Sequence, residues 1–127
     1  MTLEEVKALS DEELRIRVAE LLGWLEIEND MVVLNVYELR GLTPDNTHIS
    51  HERWRISIPQ YPKDLNACHE MEKTMTAEQC RAYDKLLNMY QADAYIVADS
   101  WRWHASARQR CESFVLVTGG GCKDVDV

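Results

Sequence analysis

"MVVLNVYEL", residues 31–39, is rich in β-branched residues and too short for an amphipathic helix with a polar face of its own, so it predicts a strand. Downstream, "RWRISI" at 53–58 alternates cleanly. Trp54, Ile56 and Ile58 take one parity and point to a core, while Arg53, Arg55 and Ser57 take the other. The two strands are expected to pair. Between them "RGLTPDNTHISHE", residues 40–52, carries Gly41, Pro44, Asp45 and Asn46, the composition of a long surface hairpin connection.

Helices are expected on both sides of this pair. Upstream, "SDEELRIRVAELLGW" sets Ser10 three residues before Glu13, a capping-box spacing, and places Leu14, Val18, Leu21, Leu22 and Leu25 on one face, with Gly23 as a stop. "TLEEVKAL" adds a short helical turn from about Thr2. Downstream, Pro59 and Pro62 end the strand and Asp64 can cap "LNACHEMEKTM", with Leu65, Cys68, Met71 or Glu72, and Met75 at helical spacing. A new helix starts at Thr76, with Gln79 completing a capping box and Cys80, Tyr83, Leu87 and Tyr90 as its apolar face.

Tyr95 to Val97 predicts a further strand that extends through Trp101 and Trp103, with Ser100, Arg102 and His104 on the opposite parity. A final helix from about Ala105 turns Ala107, Cys111, Phe114 and Val115 inward. Gly119 to Gly121 end it. The order α-β-β-α-α-β-α packs most simply as an α+β fold, a three-layer α-β-α sandwich whose small mixed sheet is covered by helices. Residues 1–118 form the expected single globular domain and 119–127 a Gly-rich frayed tail.

With 127 residues, 46% of them hydrophobic, the chain can bury one ordinary core without staples. An acidic rather than basic N-terminus argues against a signal peptide. The longest uncharged apolar run, Met31 to Tyr37, falls far short of the roughly 20 residues of a membrane span. No membrane association and a cytoplasmic location, in a host cell if the protein is viral, are the expectations. Cys68, Cys80, Cys111 and Cys122 show no CxxC spacing and read as free packing residues.

The formal net charge of -8 argues against binding a nucleic-acid duplex, which needs a basic face. The charge is uneven, however. Residues 1–30 hold nine acidic and three basic side chains, whereas residues 100–127 hold three and four. Arginines collect at Arg40, Arg53, Arg55, Arg102, Arg108 and Arg110, which permits a local anion site on an acidic molecule.

The strongest candidate for such a site is "SWRWHASARQR", residues 100–110. Here a strand presenting Arg102 and His104 runs into a helix N-terminus whose unpaired amides, near Ser106, favour an anion, with Arg108 one turn further on. Arg53 and Arg55 on a neighbouring strand, and Trp101 or Trp103 as a stacking surface, would complete it. The competing reading packs the tryptophans in the core and leaves the arginines to neutralise the acidic first helix.

A second candidate is "DLNACHEMEK", where His69 shares a helix face with Glu72 or Lys73 and Asp64 and Asn66 sit at the helix start. A histidine with a carboxylate can act as base and orienter or as two metal ligands, but two ligands do not make a site. His48 and His51 lack a third ligand beyond Asp45 and Glu52. "GGGC" is not a phosphate loop, because no helix follows it. No GxSxG, HExxH or Walker pattern is present, and no cofactor or metal is indicated.

Three blocks, "LRIRVAELLGW" (14–24), "DLNACHEMEKTMT" (64–76) and "HASARQRCESFVL" (104–116), resemble the signature blocks of the phage ABA-sandwich domain family. The resemblance implies a layered α-β-α fold and a viral origin. Cys68 and Cys111 stand where that family usually has Met and Ala, which fits packing roles. It carries over no catalytic residue.

Two functions follow as expectations. One is a non-enzymatic phage accessory protein that binds a small anionic ligand, such as a nucleotide derivative, through Arg53, Arg55, Trp101, Arg102, His104, Ser106, Arg108, Asn66 and His69, and so sequesters a host signal. The other is an acidic protein interaction module, presenting Glu12, Glu13, Glu20, Glu26 and Glu28 to a host or phage protein. An enzyme using His69 or His104 as a base has least support. Oligomer formation stays open.

Overall fold

A computed structural model describes residues 1–44, 55–91 and 105–119, apart from the side chains of Tyr90 and Gln91. Helices α1 (Leu3–Lys7) and α2 (Asp11–Leu22) open the chain. Each begins with a complete capping box, Thr2 with Glu5 and Ser10 with Glu13, which satisfies two backbone donors that a helix start leaves unpaired. Gly23 ends α2 at φ 98, a left-handed conformation that costs glycine little, and its amide donates to the Ala19 and Glu20 carbonyls.

Strands β1 (Leu25–Val33), β2 (Val36–Leu42) and β3 (Ile56–Ser57) form one sheet in that order, antiparallel throughout. The stretch 31–39 is therefore not one strand but the tip of a hairpin, turning at Leu34 and Asn35 between the paired Val33 and Val36. The physical reason is Asn35, held at φ 64, where asparagine is one of the few side chains that sits readily. Leu25, expected on the inner face of α2, instead starts β1 and is exposed.

The pairing expected between 31–39 and 53–58 is found as β2 against β3 but shifted along the chain. The Ile58 amide donates to the Leu39 carbonyl, while Arg40 opposite Ser57 and Gly41 opposite Ile56 belong to the stretch 40–52 expected as a connection. A bulge between Leu25 and Glu28 holds Glu26 at φ 50. Gly41 lies against it so closely that a Cβ there would meet the Leu25 carbonyl oxygen at 2.9 Å.

Helices α3 (Leu65–Glu72), α4 (Ala77–Gln91) and α5 (Ala107–Thr118) follow. Asp64 caps α3 by accepting from the Asn66 amide, and Thr76 with Gln79 caps α4. α5 packs against α1, α2, α3 and α4. Nine of its twelve residues are buried, including Ala107, Cys111, Phe114 and Val115, the four expected to face inward. It is the axis of one hydrophobic cluster that takes in Val6, Leu14, Val18, Trp24, Leu39, Ile58, Met71, Tyr83, Leu87 and Phe114.

The fold is thus α+β, helices packing against a small sheet, as the element order predicts, with that sheet purely antiparallel among the described residues. Buried Arg15 ties the layers by donating from α2 to the Pro59 carbonyl at 3.2 Å and to the Ile58 carbonyl. No helix among the described residues is long and apolar enough to cross a membrane. The strand expected from Tyr95 to Trp103, Trp54, His48, His51, Cys122 and the tail beyond Gly119 lie outside the described residues.

Candidate functional site

At the start of α5, the Ser106 hydroxyl accepts from the Gln109 amide at 3.1 Å and the Gln109 side chain accepts from the Ser106 amide at 3.0 Å. This reciprocal cap already occupies donors that an anion would need. Arg108, one turn inside, is fully engaged. It donates to Asp11 at 2.5 Å, to Glu112 at 2.9 Å, and to the Lys7 and Leu9 carbonyls at 3.2 and 2.5 Å. Partial burial works against its charge, but the hydrogen bonds to Asp11 and Glu112 outweigh this, so its pKa lies above the ordinary arginine value.

Arg55 is held elsewhere, on the outer face of the sheet. It grips Asp30 with two bonds of 2.9 and 3.1 Å, donates to the Arg40 carbonyl at 3.2 Å and to the Glu26 carbonyl, and lies 3.7 Å from Glu28. The bond to Asp30 is the main reason its pKa is raised. Arg55 and Arg108 therefore serve two separate partner sets, β1 with β2 in one case and α1, α2 and α5 in the other. An anion would have to displace carboxylates from both. Arg53, Trp101, Arg102 and His104 lie outside the described residues.

The second candidate cluster is dispersed. His69 and Asn66 are exposed on α3, whereas Lys73 pairs with Glu70 at 3.0 Å. Glu72 turns inward, accepting from buried Arg110 at 2.9 Å and from the Tyr83 hydroxyl at 2.5 Å. Burial, then the bond to Glu72, pushes the Tyr83 pKa up, so this phenol stays neutral. The arrangement links α3, α4 and α5 and touches no cleft described below.

Buried Cys68 and Cys111 lie with sulfurs 4.0 Å apart, both free, and Cys68 donates to the Tyr61 carbonyl at 3.1 Å. The contact with Cys68, followed by burial, raises the Cys111 pKa and keeps that thiol protonated. Among the described residues, no group of three or more His, Cys, Asp or Glu side chains is gathered to hold a metal ion.

The unexpected surface is the hairpin tip. Met31, Val33, Leu34, Val36 and Tyr37 are 56, 65, 78, 52 and 64% exposed. Pairing sets Asn29 opposite Leu39 and Met31 opposite Tyr37, so Met31 and Tyr37 continue the face on which buried Leu39 meets the core, one step past the core's edge. The opposite face carries the ions: Asp30 opposite Glu38 and Glu28 opposite Arg40, with Arg55 and Ser57 bonded to them.

The signal for this surface was present in the sequence as the uncharged run 31–37 interrupted by one asparagine. Read as a single strand, that run has a partner on its flank. Folded as a hairpin tip, it pairs with itself and leaves its side chains exposed.

Two surface clefts lie among the described residues. One, of about 140 Å³, is lined by Leu3, Lys7, Leu86 and Met89, and the other, of about 210 Å³, by Met1, Arg17, Leu21, Val115, Leu116 and Gly119. Both fall below the ~300 Å³ at which small-molecule sites begin, and neither includes Arg55, Arg108 or His69. Comparison with protein-family models, curated proteins and solved structures finds no match.

Proposed function

We propose that this chain works by protein contact, as a non-enzymatic acidic interaction module whose contact surface is the β1–β2 hairpin tip. The observation that carries this reading is the exposure of five large apolar side chains, Met31, Val33, Leu34, Val36 and Tyr37, on one protrusion. Scattered exposed leucines are ordinary, but a contiguous apolar patch ringed by polar groups marks an interaction site. Ringing it are Asp30 and Glu38 in an overall charge of -8. The small-anion reading has less behind it, since Arg55 and Arg108 are both occupied by carboxylates. If the phage resemblance holds, the cell supplies both host and phage proteins as candidate partners.

A photo-crosslinking amino acid placed at Leu34 tests this in the producing cell. Illumination is expected to yield covalent adducts heavier than the chain itself, absent when the same group replaces exposed Glu78 on α4. A chain that stays free at Leu34, or crosslinks equally from both positions, overturns the reading.

A further inference from the structure

We propose that Cys68 and Cys111 form a redox-responsive site, which a small-molecule disulfide converts into a bridge fastening α3 to α5. The two thiols stand 43 residues apart in the chain, yet their sulfurs touch at 4.0 Å in the core, each residue 0% exposed. Cys68 also donates to the Tyr61 carbonyl at 3.1 Å and lies 3.5 Å from the Ala107 carbonyl. Filling space asks only for a small apolar side chain at each position. Two sulfurs in contact across a helix interface can in addition be joined, since shortening that contact to the ~2.0 Å of a disulfide needs no change of neighbours.

The closed core protects the pair. Attack on a disulfide needs a thiolate, and contact with Cys68 together with burial keeps the Cys111 thiol protonated. Access comes through α3, the more lightly held of the two helices. It is eight residues long and buries Ala67, Cys68 and Met71, while Asn66, His69 and Glu70 are exposed, whereas α5 is buried at nine of its twelve positions. Brief release of such a short peripheral element costs less than global unfolding, and it uncovers both sulfurs at once.

The chemistry balances over two exchanges. The Cys68 thiolate attacks one sulfur of the oxidant, its sulfur-sulfur bond breaks, one thiolate leaves, and Cys68 carries a mixed disulfide. Before α3 returns, the Cys111 thiolate attacks the Cys68 sulfur and expels the second thiolate. The two protons released by Cys68 and Cys111 end on the two departing thiols, so the protein loses two electrons and the oxidant gains them. The bridge closes a loop that contains all of α4, restricts the unfolded chain and holds α3 shut.

A chain carrying Cys80→Ser and Cys122→Ser keeps only this pair of cysteines. Incubated in the folded state with excess oxidised glutathione at about pH 8, where exposed thiols begin to ionise, it is expected to become lighter by two hydrogens and to retain no glutathione. A digest run without reductant should then link the Cys68 and Cys111 peptides. The midpoint of thermal unfolding should rise by ~10 °C and fall back when dithiothreitol is added, and amide exchange in α3 should slow. With Cys111→Ala added, oxidation should stop at the glutathione adduct and leave the midpoint without that rise.

A folded chain that stays reduced or stops at the adduct, or that bridges only once denaturant is present, overturns the proposal. So does a bridged form that melts no higher than the reduced one, or a rise that persists in Cys111→Ala.

Discussion

Two stretches of seven residues, "CESFVLV" at 111–117 and "MVVLNVY" at 31–37, have opposite fates. The first contains a glutamate and a serine and is buried along its whole length, while the second carries no charge and is largely exposed. Composition alone would have assigned them the other way round. What decides is the number of neighbours each element can reach. α5 runs through the middle of four helices, so even Glu112 is enclosed and meets Arg108 there. The hairpin extends past the core's edge, and among the described residues its last cross-strand pairs have only each other.

Cutting the same kind of side chain from each stretch is the sharpest way to break the comparison. Phe114→Ala leaves a cavity at the centre and is expected to cost ~3–5 kcal/mol, whereas Leu34→Ala should stay within about 0.5 kcal/mol, both read from urea unfolding. Similar losses at the two sites would mean that the tip is packed against something after all.

Ion pairs should follow the same division. Arg110→Ala strands the Glu72 carboxylate in a mostly buried setting, with an expected loss of about 3 kcal/mol, while Lys73→Ala, at a pair exposed on both sides, should change stability by no more than ~0.5 kcal/mol. Equal losses would show that burial does not set the scale here.

The smallest effect concerns the helix caps. Backbone hydrogen bonds from Thr2 and Ser10 hold the Glu5 and Glu13 carboxyls below their ordinary pKa of 4.5. A carboxyl depressed in the folded state adds stability above its unfolded pKa, and that contribution disappears as pH falls through the folded value. Between about pH 5 and pH 3, Glu13→Gln should therefore lose less stability than the unaltered chain. An identical slope in the urea midpoint for both would remove the cap from the acid response.

Short-range signals were the legible ones. Ser10 with Glu13, Gly23, Asp64, and Thr76 with Gln79 each act within four residues, and each caps or stops the helix that its spacing announces. The parity of 55–58 held in part: Arg55 and Ser57 lie on the ionic face and Ile58 in the core, but Ile56, expected inward with Ile58, is 44% exposed. Asn35 was the available clue to the hairpin, yet one asparagine among β-branched residues does not by itself outweigh a strand pattern.

Long-range partnerships were not legible. Arg108 meets Asp11 across 97 residues and Arg110 meets Glu72 across 38, and no local periodicity encodes which carboxylate an arginine will find. Arginines that cluster in sequence near an anion-friendly helix start were thus drawn to separate acids by tertiary packing. Exposure of the tip was hidden for the same reason, because it depends on how far the other elements extend.

α5 is the common neighbour of α1, α2, α3 and α4, yet it follows all of them along the chain. During synthesis, four amphipathic helices emerge before the segment that will hold them together, and Val6, Leu14 and Tyr83 must wait with their apolar faces wet. Assembly of this molecule is tied to completing translation through Thr118, so a nascent chain halted short of Ala107 is a ready client for chaperones rather than a smaller version of the fold.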